Sequence, residues 1–308
     1  MNPLIHIGYH KTGTSWLQTH LFDNQGVGFA SPFSGREIKA ALISPTEACF
    51  DTQKACVFFA DRLLAASCGG FSPVISQEGL SSFSYGRSIG GQGTAKRLCA
   101  VFPTAKILIV IREQQDMLLS HYKQSVKIGR VASPILMALQ NGANGESVFA
   151  LKRYDYHQLI GEYIQLFGAQ NVLVLPYELF RAEQAEFLRL IIGFVGLYVP
   201  EETIDTLAFH QHVNPSLSET AVVLKYPINY VLRSRKRHMK RLNQQITQIL
   251  HRLGALAPSA LNERLRQHMQ ATIRAHVGAY YGVSNAQTVA LTGLDLARYG
   301  YDLPNEGR

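Results

Sequence analysis

The stretch Gly8-Tyr9-His10-Lys11-Thr12-Gly13-Thr14-Ser15 decides how this chain of 308 residues is read. Ahead of it, Leu4 to Tyr9 has the character of a short buried strand. Behind it, Trp16, Leu17, His20 and Leu21 fall on neighbouring turns of an amphipathic helix. A strand, a glycine-containing turn and a helix start together make an anion site. The first N–H groups of the helix have no intrahelical acceptor, and the helix dipole adds positive potential. Gly8 and Gly13 have the spacing of a nucleoside-triphosphate loop, and Ser15 falls at its terminal hydroxyl position. Yet Thr14 stands where that loop has its lysine, and the lysine has moved three residues earlier, to Lys11. A triphosphate enzyme also needs Mg²⁺, with an acidic ligand at the end of another strand. Here the clearest later strand, Lys106-Ile107-Leu108-Ile109-Val110-Ile111, ends in Arg112. An arginine there helps an anion and hinders a metal ion. The residues therefore point to a phosphate ligand held by lysine, arginine, hydroxyls and backbone, with no metal required.

Working outward, Pro73-Val74-Ile75-Ser76 reads as a second strand and runs into Gln77-Glu78-Gly79. Lys106–Ile111 is apolar on both faces, as a central parallel strand should be. A helix from about Gln114 to Ile128 should follow it, then a helical stretch over Phe149 to Phe167 and a strand over Asn171 to Leu175. Strands alternating with helices predict an α/β fold: an open, mostly parallel sheet with a P-loop-like nucleotide site and helices on both faces. After about Val213 no further strand is expected. Residues 217–253 and 258–281 read as helices broken near Pro227 and Gly254, a C-terminal helical region. The expected division is a nucleotide-binding core over 1–215 and a mainly helical extension over 216–308 that packs on it as a lid, an acceptor-binding surface or a dimer surface.

Composition narrows the class. At 46% hydrophobic and 17% charged residues, the chain is neither disordered, collagen-like nor a coiled coil. Its net charge of +8 suggests an anionic ligand, an anionic surface or both. Nucleic acid is not among the expected partners. The basic run Arg233 to Arg241 is open to several readings: a solvated face, or a contact with a ligand phosphate, an anionic acceptor, a membrane surface or an anionic polymer. Cys49, Cys56, Cys68 and Cys99 form no CxxC pair and no Cys/His set with zinc spacing, so they are expected as buried thiols in a reducing compartment. No run approaches the ~20 apolar residues of a membrane span. The first residues lack a basic region and a long apolar run, so no signal peptide is expected and the localisation expected is cytoplasmic.

Lys11-Thr12-Gly13-Thr14-Ser15-Trp16 resembles the 5′-phosphosulfate loop of sulfotransferases that use 3′-phosphoadenosine 5′-phosphosulfate (PAPS). A second stretch, Ile111-Arg112-Glu113-Gln114-Gln115-Asp116-Met117-Leu118-Leu119-Ser120-His121-Tyr122, resembles the strand–arginine–helix–serine element that binds the 3′-phosphate, with Arg112 and Ser120 at the matching positions. Val172 to Glu178, Val213 to Ser218, Thr292 to Leu296 and Tyr299-Gly300-Tyr301 also resemble parts of that family, most closely its bacterial, carbohydrate- and heparan-type members. The likeness covers about 1–215 and is nearly absent over 219–280. No counterpart is found for the late glycine-rich Arg-Lys-Gly element of the cytosolic branch; Arg235-Lys236-Arg237 is basic but lacks the glycines.

The resemblance implies sulfuryl transfer from PAPS to a hydroxyl or amine of a carbohydrate, lipid or small molecule by in-line displacement. Lys11 would stabilise the leaving bridging oxygen, as a point charge on a flexible stem can. Thr12, Gly13, Thr14, Ser15 and Trp16 would hold the 5′-phosphate, with Trp16 either against the adenine or in the core. Arg112 and Ser120 would grip the 3′-phosphate. Glu78, just past a strand end, resembles the general-base glutamate of the heparan-type branch, and His10 ranks second for that role. An atypical P-loop kinase or nucleotidase, and a non-catalytic binder of anionic ligands on the same fold, are the alternatives. A homodimer is compatible with all three.

Overall fold

The computed structural model describes residues 2–81, 91–141, 149–207, 216–232 and 240–304. Five strands form one parallel sheet in the order β2-β3-β1-β4-β5. They are β1 Leu4–His6, β2 Phe29–Ala30, β3 Ser72–Ser76, β4 Lys106–Ile111 and β5 Val172–Pro176. In register, Leu4 faces Val74 on one side and Lys106 on the other, and Val110 faces Leu175. The predicted strands are all present. Phe29–Ala30, only two residues long, is an addition.

Side chains alternate across the sheet with period two. Leu4, Val74, Leu108, Val110 and Leu175 share a core with Trp16, Leu17, Leu21 and Phe22, and with Phe187, Leu188 and Ile191 of the helix Gln184–Val195. The alternate residues Ile5, Ile75, Ile107, Ile109 and Ile111 are likewise fully buried, and the helix Tyr156–Phe167 packs against β4 and β5. The sheet is therefore covered on both faces, which explains its near-continuous apolar strands. The expected helical stretch over 149–167 is interrupted: a short turn at Leu151–Tyr154 precedes Asp155, and only Tyr156–Phe167 is α-helical.

The chain divides into two compact units, and the division is not a cut at one point. The first comprises residues 1–113, 155–213 and 282–308 and holds the sheet; the second comprises residues 114–154 and 214–281. The boundary expected near residue 215 borders 208–215, which lie outside the described residues. The C-terminal helix Gly282–Thr292 packs within the first unit against Tyr156–Phe167, with Asn285 Nδ2 donating to the carbonyl of Asp302 at 2.8 Å.

The second unit is helical, and two breaks expected in it do not occur. Pro227 lies inside the helix Glu219–Leu232, and Gly254 lies inside Lys240–Leu256. A proline removes one helical hydrogen bond, but this helix is pinned on both sides of it. Asn229 Nδ2 donates to the carbonyls of Val126 and Val131 at 2.9 and 2.8 Å, and Lys225 Nζ donates to Asn243 Oδ1 at 2.9 Å. Gly254 is a close-approach residue: a Cβ there would collide with Ser218 Oγ. The cysteines also differ from expectation. Cys49 and Cys68 are exposed, and Cys56 and Cys99 are half-buried. Cys49 ends a short turn and Cys68 ends the helix Thr52–Cys68, where side chains face outward.

Candidate active site

Because the sheet is parallel, β1, β3, β4 and β5 deliver their following loops to one carboxyl edge, the edge at which open α/β sheets bind ligands. Those loops begin with Gly8, Gln77, Arg112 and Tyr177 or shortly before. The first is held by short-range contacts. Thr12 Oγ1 donates to the carbonyl of Tyr9 at 2.5 Å, and Gly13 accepts from the N–H groups of Trp16 and Leu17 at 2.9 and 3.1 Å. Gly8 has no space for a side chain, since a Cβ would collide with the imidazole of His6. Gly13 lies at φ 81°, with Tyr177 Cε2 only 3.3 Å from where a Cβ would stand.

Lys11 is the one non-glycine residue with positive φ among the described residues, at 74°. Such backbone strain persists only where the surroundings enforce it, and it clusters at ligand sites. Part of the enforcement comes from Arg112, whose Nη1 donates to the carbonyl of Lys11 at 3.2 Å. Arg112 also lies over the ring of Tyr177, 5.0 Å from its centroid, and its own carbonyl accepts the Tyr156 hydroxyl at 2.5 Å. The residue expected to bind the anion thus also shapes the loop.

Past the turn, the chain enters a helix at Thr14–Trp16 that widens into a π-type turn over Leu17–Phe22. The N–H groups of Gly13, Thr14 and Ser15 donate to no protein acceptor among the described residues. The Thr14 hydroxyl is buried with no hydrogen-bond partner. Orphan donors at a helix start, beside a lysine and an arginine, fit an anionic ligand. Trp16 is placed differently. It is 4% exposed, packs its ring on His20 and Phe180, and gives its N–H to Gly13.

Glu78 begins the turn after β3, and its carboxylate is paired with Nδ1 of His10. The two candidate bases are therefore one pair. Burial would raise the Glu78 carboxyl, but the hydrogen bond and charge from His10, with smaller contributions from His6 and Lys11, outweigh it and hold the group below its usual range. His6, fully buried under the loop with Nδ1 2.9 Å from Ser76 Oγ, is pushed down to about 4 by burial despite the nearby Glu78, so it is neutral at pH 7.

Two supporting residues, Glu178 and Tyr301, carried no predicted role. Glu178, after β5, accepts from the N–H of Glu113 at 3.0 Å and from the Tyr301 hydroxyl at 3.2 Å. Burial raises its carboxyl, and the Glu113 N–H and the Arg112 charge oppose that rise. The signal was available: a strand ending in Pro176-Tyr177-Glu178 must deliver Glu178 to the edge that carries Arg112. Ser120 lies nearly buried on the helix Gln114–Lys127 of the second unit, and its neighbour His121 packs on Tyr154. Residues 233–239 of the basic run lie outside the described residues.

Residues 96–226 match the family model of the sulfotransferase domain. Among solved structures, a sulfotransferase from Alicyclobacillus acidocaldarius shares the fold, with a TM-score of 0.50 and 19% identity over 78% of this chain and 99% of that one. The sulfotransferase domain from the curacin biosynthetic pathway aligns with a TM-score of 0.43 and 12% identity over 69% of this chain and 79% of its own. Mouse sulfotransferase SULT7A1 complexed with PAP aligns with a TM-score of 0.38 and 15% identity over 66% and 62%. No curated protein matches the sequence.

Proposed function

We propose that the chain is a sulfotransferase that transfers a sulfuryl group from PAPS to a hydroxyl or amine of a carbohydrate, lipid or small-molecule acceptor, a reading supported by the match of residues 96–226 to the sulfotransferase domain. The observation that carries this reading is the phosphate loop itself. Lys11 is strained and its carbonyl is held by Arg112 at the end of β4, and beside it lie the orphan donors from Gly13 to Ser15 and a partnerless Thr14 hydroxyl. When bound, PAPS supplies an activated sulfate whose transfer breaks the S–O bond to its 5′-phosphate and forms an S–O bond to a hydroxyl acceptor or an S–N bond to an amine. Gly13, Thr14 and Ser15 hold the 5′-phosphate through N–H and hydroxyl donors. The Lys11 ammonium stabilises negative charge gathering on the leaving oxygen. Arg112 offers a planar fork to the 3′-phosphate. Glu78 is ionised at pH 7 and takes the proton of the acceptor. His10 orients that carboxylate, and its cationic form would stabilise it, so the pair acts as a unit.

A thermal-shift series tests the reading. Adenosine 3′,5′-bisphosphate should raise the melting temperature without Mg²⁺, and ATP should do little with or without it. Labelled PAPS with panels of glycans, lipids and phenols then identifies the acceptor. Stabilisation by Mg²⁺-ATP alone, with no response to the bisphosphate, would support a kinase or nucleotidase instead.

A further inference from the structure

The helix Lys240–Leu256 of the second unit carries a feature that transfer chemistry does not use. Its inward stripe is Asn243, Thr247, Leu250 and Gly254. Thr247 Oγ1 reaches the carbonyl of Lys127 at 3.4 Å, Leu250 is buried, and Gly254 abuts Ser218 and Ala221. Leu242, Ile246, Ile249, Leu253 and Leu256 follow one another at alternating spacings of four and three, which places them on one adjacent face. That face is open: Ile249 is 57%, Leu253 50% and Leu256 81% exposed. Arg241 and Arg252, both exposed, lie along its outer border.

In sequence, the charge of the chain is concentrated in the segment that contains this helix. Eight of its 30 Lys and Arg, and none of its 22 Asp and Glu, lie between Glu219 and Glu263, so the whole net charge of +8 resides in that segment. An exposed apolar stripe edged by arginines, on a helix that is not long and apolar enough to cross a bilayer, is the pattern of a helix lying in a membrane interface. A second copy of the chain would bring the same cationic segment against itself. A soluble polyanion would leave the leucines uncovered. An anionic bilayer satisfies both halves of the face.

We propose that the helix Lys240–Leu256 docks on the surface of anionic lipid membranes, burying Ile249, Leu253 and Leu256 among the acyl chains with Arg241 and Arg252 at the headgroups. This goes beyond the transfer reaction and is tested without turnover. The full chain is sedimented with vesicles of phosphatidylcholine alone, or of phosphatidylcholine with one third phosphatidylglycerol. Binding to the anionic vesicles should exceed binding to the neutral ones at least tenfold and weaken as salt is raised. The double variant Leu253→Glu/Leu256→Glu should lose that binding while its melting temperature is kept, since both side chains point to solvent. Arg241→Gln/Arg252→Gln should weaken it about 30-fold at low salt, which keeps the test intact if the leucine variant folds poorly. Equal binding to both vesicle types would overturn the proposal. So would unchanged binding in both variants, or a dimer in light scattering that Leu253→Glu dissociates.

Discussion

Lys11 offers a test in which stability and activity should move in opposite directions. Its backbone sits at φ 74°, where a residue with a Cβ pays roughly 1–2 kcal/mol in steric strain. Glycine removes that strain but gives the unfolded chain more freedom, a loss of about 0.5–1 kcal/mol. Lys11→Ala keeps the strain and Lys11→Gly relieves it, and both remove the ammonium. The glycine variant should therefore be the more stable of the two by about 0.5–1 kcal/mol, or about 2 °C in melting temperature. Both should lose transfer by ~100-fold or more, the scale expected when one group stabilising developing charge is removed. Urea unfolding of the two variants, paired with single-turnover transfer from labelled PAPS, reads both quantities. A glycine variant no more stable than the alanine one would refute the strain argument. Wild-type transfer in either would refute the role of the ammonium.

Three further predictions concern the surrounding residues. If ionised Glu78 takes the acceptor proton, activity falls as pH drops through its pKa; His10→Ala removes the hydrogen bond that holds this pKa down, leaves burial to raise it, and should move the acidic limb of the pH–rate profile upward. An unmoved limb would show that the two groups are not coupled. Glu178→Leu leaves the Glu113 N–H and the Tyr301 hydroxyl without their acceptor and should cost about 2 kcal/mol, whereas Tyr301→Phe should cost about 1 kcal/mol; urea unfolding distinguishes them, and equal costs would contradict the bridging role. Lys225 is pushed by burial from its usual range down to about 8, so between that pH and its unfolded pKa near 10.5 the unfolded state binds more protons and the lysine's contribution to stability grows with pH. Lys225→Met should flatten that rise in melting temperature between pH 8 and 10, and an unchanged pH dependence would be contrary to it.

Strand β4 was legible because burial on both faces leaves an unbroken apolar run, and Lys106–Ile111 ends at the residue expected of it. The loop was legible because a strand, two glycines and a helix start admit few other conformations. The pairing of His10 with Glu78 was not, because it joins loops after two different strands and depends on which strands are neighbours. Trp16 was undecided from sequence, because an aromatic in the first turn can meet a ligand or the core; its contact with Phe180 from beyond β5 is one that local sequence does not show. Pro227 and Gly254 carry local breaking tendencies that packing overrides, through Asn229 in one helix and a close approach to Ser218 in the other.

The most direct measurement of the central claim is calorimetric titration of adenosine 3′,5′-bisphosphate into the full chain in the presence of a chelator. The account predicts one saturable site that needs no divalent cation, with affinity lowered at least tenfold by Arg112→Gln and by Thr14→Val. Binding that requires Mg²⁺, or that is indifferent to both substitutions, would contradict it.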